Sequence, residues 1–194
     1  CFAALLGTPH DVRHRVVCMT TAGVFASRLR SGVKVTALGK AAGHDVRTFL
    51  RLVTLLRRER PDVVHSRNWA TFDTVLAARL AGVRVVIHGE HGRDMSDPEG
   101  RNRRRNRLRR ACAPLVTRFV TVSDDLRGWL IRDVAVPARK VVTIHNGVDT
   151  VRFAPGDRAA ARRALALPPD VPVVGTVGRL DPVKDHATLV RGFA

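Results

Sequence analysis

Several short stretches of this sequence carry side chains able to do chemistry, and most of them directly follow an apolar, β-branched run. In Gly178-Arg179-Leu180-Asp181-Pro182-Val183-Lys184, the run VPVVGTV comes before and a helical pattern after. Arg179 at a strand end and Lys184 at a helix start place two cations beside a helix N-terminus. Backbone N–H donors, the helix dipole and two charge-assisted contacts suit a diphosphate; the competing reading is a solvated loop with ordinary surface cations. His88-Gly89-Glu90-His91-Gly92-Arg93-Asp94 leaves four readings open. His88, His91 and Asp94 are metal-ligand types, but they lack a distant partner. His-x-Glu opens the zinc deaminase signature, yet Pro-Cys-x-x-Cys is absent and Cys112 stands alone. A polar ligand loop with His91 as hydrogen-bond donor or general acid/base is the third reading, and a polar turn is the fourth. Ser123-Asp124-Asp125 reads first as a helix N-cap. His145-Asn146-Gly147 reads first as a turn with Gly147 at positive φ. Gly-x-Gly-x-x-Gly, Walker A and Gly-x-Ser-x-Gly patterns are all absent.

The elements that must position these residues follow from the apolar pattern. Strands are predicted at 15–20, 33–38, 62–66, 84–88, 119–123, 141–145 and 173–177, each short and Val-rich. Helices are predicted at 22–30, 45–59, 69–81, 101–111, 124–132, 157–165 and 186–194. In the second of these, Val46, Phe49, Leu50, Val53 and Leu56 fall on one face, and Pro61 supplies the stop. This alternation predicts an α/β fold with a parallel sheet and helices on both faces. In such sheets ligands sit beyond the carboxyl ends of the strands, which is where the residues above lie. The Pro-rich stretch 151–170 reads as a linker between a domain at 1–150 and the start of a second at 171–194. A single βα unit does not close a domain, so the sequence reads as a fragment cut at both ends.

The chain holds 34 Lys+Arg against 17 Asp+Glu, a net charge of +17. All but four of those cations are Arg, a bias for which codon usage is one explanation. Such a field favours polyanions: nucleic acid, anionic lipid or phosphorylated ligands. Seven Arg crowd residues 101–110. On a helix, Arg101, Arg104, Arg105 and Arg109 share a face, read as solvated or as facing an anionic membrane. Nucleic acid ranks third and is not expected as a partner, because the run has no interleaved aromatics and the chain has no Tyr. Cys1, Cys18 and Cys112 are odd in number and widely spaced, which favours a reducing compartment. No apolar run approaches the ~18 residues of a membrane span.

Taken in order, RPDVVHSRN (60–68), AGVRVVIHGEHG (81–92), FVTVSDDL (119–126), VVTIHNGVDTVRFAP (141–155) and VGTVGRLDPVKDHATLVRGFA (174–194) resemble the retaining GT-B glycosyltransferases of family 4. That family includes relatives of glycogen synthase and bacterial mannosyltransferases. The EHG and VKDHATLV segments look most like exopolysaccharide-associated sugar transferases. The resemblance implies two Rossmann-like domains across a cleft, with the acceptor-side domain first. It implies that Arg179 and Lys184 hold the diphosphate of a nucleotide-sugar donor and that His91 sits at the donor sugar as the catalytic residue. Ser123, Asn146 and Gly147 would line the cleft. A saccharide or lipid-linked acceptor, a cytoplasmic location at the inner membrane face, and neither metal nor cofactor are implied with them. Two Glu eight apart, usual in the family's second domain, are missing, and Asp185 stands where many relatives have Gly. The chain by itself is therefore expected to be inactive. The rival readings are a non-catalytic basic α/β module that binds nucleic acid and a GT-B nucleotide-sugar epimerase.

Overall fold

A computed structural model describes residues 12–29, 31–41, 43, 45–94 and 96–193. Cys1, Arg30 and Ala194 fall outside these residues. The chain divides into two compact units, Cys1–Gly147 and Val148–Ala194.

In the first unit, β1 (Arg15–Cys18) and β2 (Lys34–Ala37) pair in parallel as a two-stranded sheet. Between them the predicted helix at 22–30 is a short 3₁₀ segment, Val24–Arg28. Helix α1 (Val46–Glu59) follows, started by Asp45, whose carboxylate accepts the Thr48 N–H at 2.9 Å. These bonds to Thr48 hold the Asp45 carboxyl down at about 2. Arg60 in the left-handed region and then Pro61 stop the helix. Its buried face is Thr48, Leu52, Val53 and Leu56, while Val46 and Leu50 are exposed. The expected stripe through Val46 and Leu50 is thus rotated by part of a turn: two leucines, a valine and a threonine take the inner face, and packing against the next helix decides.

Four parallel strands make the main sheet: β3 (Val63–Arg67), β4 (Val85–Glu90), β5 (Arg118–Thr121) and β6 (Val141–Thr143), ordered 3-4-5-6. The connecting helices are α2 (Asp73–Leu80), α3 (Arg103–Cys112) and α4 (Asp124–Arg132). Each neighbouring pair of strands steps in the same direction, so right-handed crossovers put all three helices on one face. The burial pattern agrees. Val64, Val86, Phe119 and Val141 sit on the covered face with Val75, Leu126 and Leu130 from the helices, and Val63 and Val142 on the other face are exposed.

In the second unit, α5 (Arg158–Ala164) is capped by Asp157, which accepts from Ala159 and Ala160 N–H. Arg162 reaches from this helix to the carbonyls of Pro168 and Val171, tying down the proline-rich stretch. The strand predicted at 173–177 does not form. Its residues run without a ladder partner among the described residues, and Val173, Val174 and Val177 are exposed. β-branched composition prepares a segment to pair, but a strand exists only through neighbours that take its N–H and C=O groups. Helix α6 (His186–Phe193) ends the described chain.

Candidate functional site

The strand registers bring the candidate residues of the first unit to one edge. Arg67 pairs with Gly89, Glu90 with Thr121, and Thr121 with Thr143. The segments that begin at Asn68, His91, Val122 and Ile144 therefore leave the sheet side by side at its carboxyl end. Ser123 spends its hydroxyl as the N-cap of α4, accepting the Leu126 N–H at 3.3 Å. Thr143 Oγ1 donates to Asp124 at 2.9 Å, and His145 Nδ1 lies 3.3 Å from the Val122 carbonyl, so the segments after β5 and β6 are laced together. Asn146 and Gly147 are exposed, and a Cβ on Gly147 would meet nothing within 4 Å. Gly147 is not among the positive-φ glycines. The expected turn with Gly147 at positive φ does not form, and the chain leaves the sheet here without regular secondary structure.

Beneath this edge runs a buried polar chain. Ser66, His88 and Glu90 share the covered face with Val64 and Val86 because side chains alternate along a strand. Ser66 Oγ is 2.8 Å from His88 Nδ1, and His88 Nε2 is 3.4 Å from Glu90 Oε1. The carboxylate beside Nε2 favours the proton there, so Nδ1 accepts from the serine. Arg109 of α3 donates from Nε to Glu90 Oε1 at 2.7 Å. Its guanidinium lies between the rings of Trp69 and Trp129, 4.9 and 5.0 Å from their centroids. His88, Glu90 and Arg109 are each at most 3% exposed. Burial pushes the Glu90 carboxyl up, but the His88 contact and the Arg109 charge outweigh it and hold the carboxyl below its ordinary range.

Arg109 therefore corrects the sequence reading: it faces the core, not a membrane. Arg105 is half-buried, paired with Asp94 at 3.3 Å and set over Trp69. Arg101 precedes the helix, which Asn102 caps by accepting the Arg105 N–H, and pairs with Glu99. The exposed basic residues of α3 are Arg103, Arg104, Arg107 and Arg110. The expectation of one shared face fails because Trp69 and Trp129, 40 and 20 residues away in sequence, create an inward site for cations at Arg105 and Arg109. The functional group that sequence reasoning missed is this same chain. Its signal was the alternation Val86, His88, Glu90 on β4.

On the other face, a Cβ on Gly89 would lie 2.9 Å from His91 Nε2 and 3.0 Å from His65 Nε2. Only glycine leaves room there for the two imidazoles. Burial, helped by the charges of His91 and Arg67, pushes His65 down to about 4. Burial and Arg67 also lower His91, with Glu90 pulling the other way. A lowered histidine takes up its proton first in the unfolded chain, so stability falls as the pH drops from 6.5 to about 4. Urea midpoints across that window are expected to fall with pH, and His65→Asn to flatten the slope. An unchanged slope in that variant contradicts the assignment. Among the described residues no group of three or more His, Cys, Asp or Glu is placed to hold a metal ion.

The loop of the second unit is ordered by its own bonds. Lys184 N–H donates to the Asp181 carbonyl at 2.9 Å, and His186 Nε2 lies 2.9 Å from the Arg179 carbonyl. Asp185 sits at φ 46°, the left-handed position that glycine takes without strain. Its carboxylate accepts the Thr188 N–H at 3.3 Å in the first turn of α6. An aspartate here therefore trades backbone ease for a helix cap. Arg179 and Lys184 are both exposed, and Arg179 lies 3.7 Å from Asp181. The two side chains thus stand on a closed loop immediately before a helix N-terminus.

No helix among the described residues is long and apolar enough to cross a membrane. The chain is 34% identical over 144 residues to the D-inositol 3-phosphate glycosyltransferase of Actinosynnema mirum, covering 69% of this chain and 34% of the relative. It is 30% identical over 146 residues to the UDP-Gal:alpha-D-GlcNAc-diphosphoundecaprenol alpha-1,3-galactosyltransferase of Escherichia coli, covering 73% and 38%. It thus spans about a third of the length of the curated relatives it matches. Among solved structures, Anabaena HepE in complex with UDP and glucose superposes with a TM-score of 0.70 at 18% identity, covering 92% of this chain and 49% of that one. A glycosyltransferase from Rickettsia africae gives 0.62 at 17% identity, covering 91% and 48%. These likenesses establish the α/β fold as that of GT-B glycosyltransferases. With residues 6–152 matching Glycosyltransferase Family 4, the chain belongs to that family.

Proposed function

We propose that the protein carrying this chain moves a sugar from a nucleotide diphosphate sugar to a saccharide or lipid-linked acceptor, with retention at the anomeric carbon, in cell-surface polysaccharide synthesis. The observation that carries the reading is the carboxyl edge of the four-stranded sheet in a chain of this family. There the loop bearing His91 leaves β4 over a buried support built on the Glu90–Arg109 ion pair. His91 contacts the donor sugar and steadies the reacting centre. Arg179 and Lys184 hold the donor diphosphate and offset the charge that grows on it as it leaves. Ser123, through its cap on α4, and Asn146 and Gly147, through their backbone, shape the wall around the reacting groups. No metal or cofactor takes part. The two named relatives support a phosphate-bearing or lipid-diphosphate acceptor, since their names specify inositol 3-phosphate and a diphosphoundecaprenol.

The decisive experiment incubates the full-length protein with a panel of UDP- and GDP-sugars and lipid-linked or phosphorylated acceptors. The anomeric configuration of any product is then read by NMR. Transfer with retention is expected; inversion, or donor isomerisation without transfer, contradicts the reading. The exposed arginines of α3 (Arg103, Arg104, Arg107 and Arg110, beside Arg101) dock the enzyme on anionic lipid at the cytoplasmic face. Cosedimentation with anionic but not neutral vesicles at low salt is expected. Equal recovery with both vesicle types argues against docking.

A further inference from the structure

We propose that Asn68 is a positioning residue for His91, holding its backbone in place through a side-chain clamp across the open end of β3 and β4. This rests on the reading of His91 at the donor sugar. Asn68 has φ 55° and ψ 175°, a conformation that essentially only glycine adopts without strain. Strain of this kind persists where the surroundings over-determine it, and here they do. The Asn68 N–H donates to the Gly89 carbonyl at 2.7 Å, and its carbonyl accepts the Thr71 N–H at 3.2 Å. Thr71 Oγ1 accepts the Arg67 N–H at 2.7 Å and donates to the Arg67 carbonyl at 2.6 Å, fixing the residue before. Trp69, the residue after, stacks on Phe72 and lies against Arg105 and Arg109.

The clamp itself is one bond. Asn68 Oδ1 accepts the His91 N–H at 2.7 Å. The β3–β4 ladder ends at Arg67 and Gly89, so the His91 amide lies beyond its last pair. By turning to positive φ, Asn68 aims its side chain, in place of a strand carbonyl, at that amide. The ladder thus gains one more rung, and His91 leaves it in a fixed direction before Gly92, which sits at φ 145°. Glycine would take this backbone more easily, so what asparagine adds at this position is the side-chain bond.

Asn68→Gly is the informative variant, since it relieves the backbone and deletes only the clamp. In the 194-residue chain its thermal midpoint is expected to hold or rise. Exchange of the His91 amide proton, followed by NMR, is expected to quicken by about tenfold, and kcat of the full-length enzyme to fall about tenfold with donor KM nearly unchanged. Asn68→Asp keeps the acceptor and is expected to restore most of the amide protection. Unchanged exchange at His91 in Asn68→Gly overturns the clamp. Faster exchange with unchanged kcat overturns the role of His91 in the reaction, and with it the catalytic purpose of the clamp.

Discussion

Replacing Arg109 by alanine is expected to destabilise the first unit by about 3–5 kcal/mol, because it strands a buried carboxylate without its partner. Glu90 is 1% exposed, and the Arg109 guanidinium lies 2.7 Å from its carboxylate. The substitution also empties the slot between Trp69 and Trp129. Against a total stability of about 5–15 kcal/mol for a domain, that loss threatens folding itself. The double variant Glu90→Gln/Arg109→Met removes both charges and refills the slot, so it is expected to recover most of the loss. Urea denaturation of the three proteins measures the difference. A single Arg109→Ala change costing under about 1 kcal/mol, the worth of an exposed pair, would place the ion pair in solvent. The lowered Glu90 carboxyl adds a pH signature. Its contribution is present above the ordinary glutamate range near 4.5 and is lost as the pH falls through the lower folded value.

The second large effect is expected at the loop of the second unit. Each charge-assisted contact to a phosphate contributes about 1.5–3 kcal/mol. In the full-length enzyme, Arg179→Ala or Lys184→Ala is therefore expected to weaken donor binding by about tenfold or more, and the pair by about 100-fold or more. Arg179→Lys is expected to recover only part, because it keeps the charge but loses the planar fork that grips two phosphate oxygens. Isothermal titration with the nucleotide diphosphate alone isolates this contact from the sugar and acceptor. Full affinity in the double variant removes both residues from the donor site.

Much of the fold was legible in the sequence because its signals are local. Short Val-rich runs closed by Gly, Pro or polar residues mark β3 to β6, and Asp45, Ser123 and Asp157 mark helix starts through cap chemistry confined to a few residues. The placement of candidate residues after strands followed from the α/β pattern alone. What was not legible depends on partners far away in the chain. Seven arginines in ten residues read as surface, yet Arg109 is buried because Trp69, Trp129 and Glu90 converge on it from three other segments. Val46 and Leu50 fit a helical stripe as well as Leu52 does, and only packing against α2 chose between them. Residues 173–177 have strand composition without a strand, since the ladder partner is a property of the fold and not of the segment. The strain at Asn68 has no sequence signal at all: an asparagine after a strand usually reads as a turn.

A structure of the full-length protein with a UDP-sugar tests the central claim most directly. The account predicts the diphosphate within hydrogen-bond distance of Arg179 and Lys184. It also predicts the donor sugar in contact with His91, whose amide remains on Asn68 Oδ1. A diphosphate bound away from that pair, or a His91 ring turned from the sugar, contradicts it.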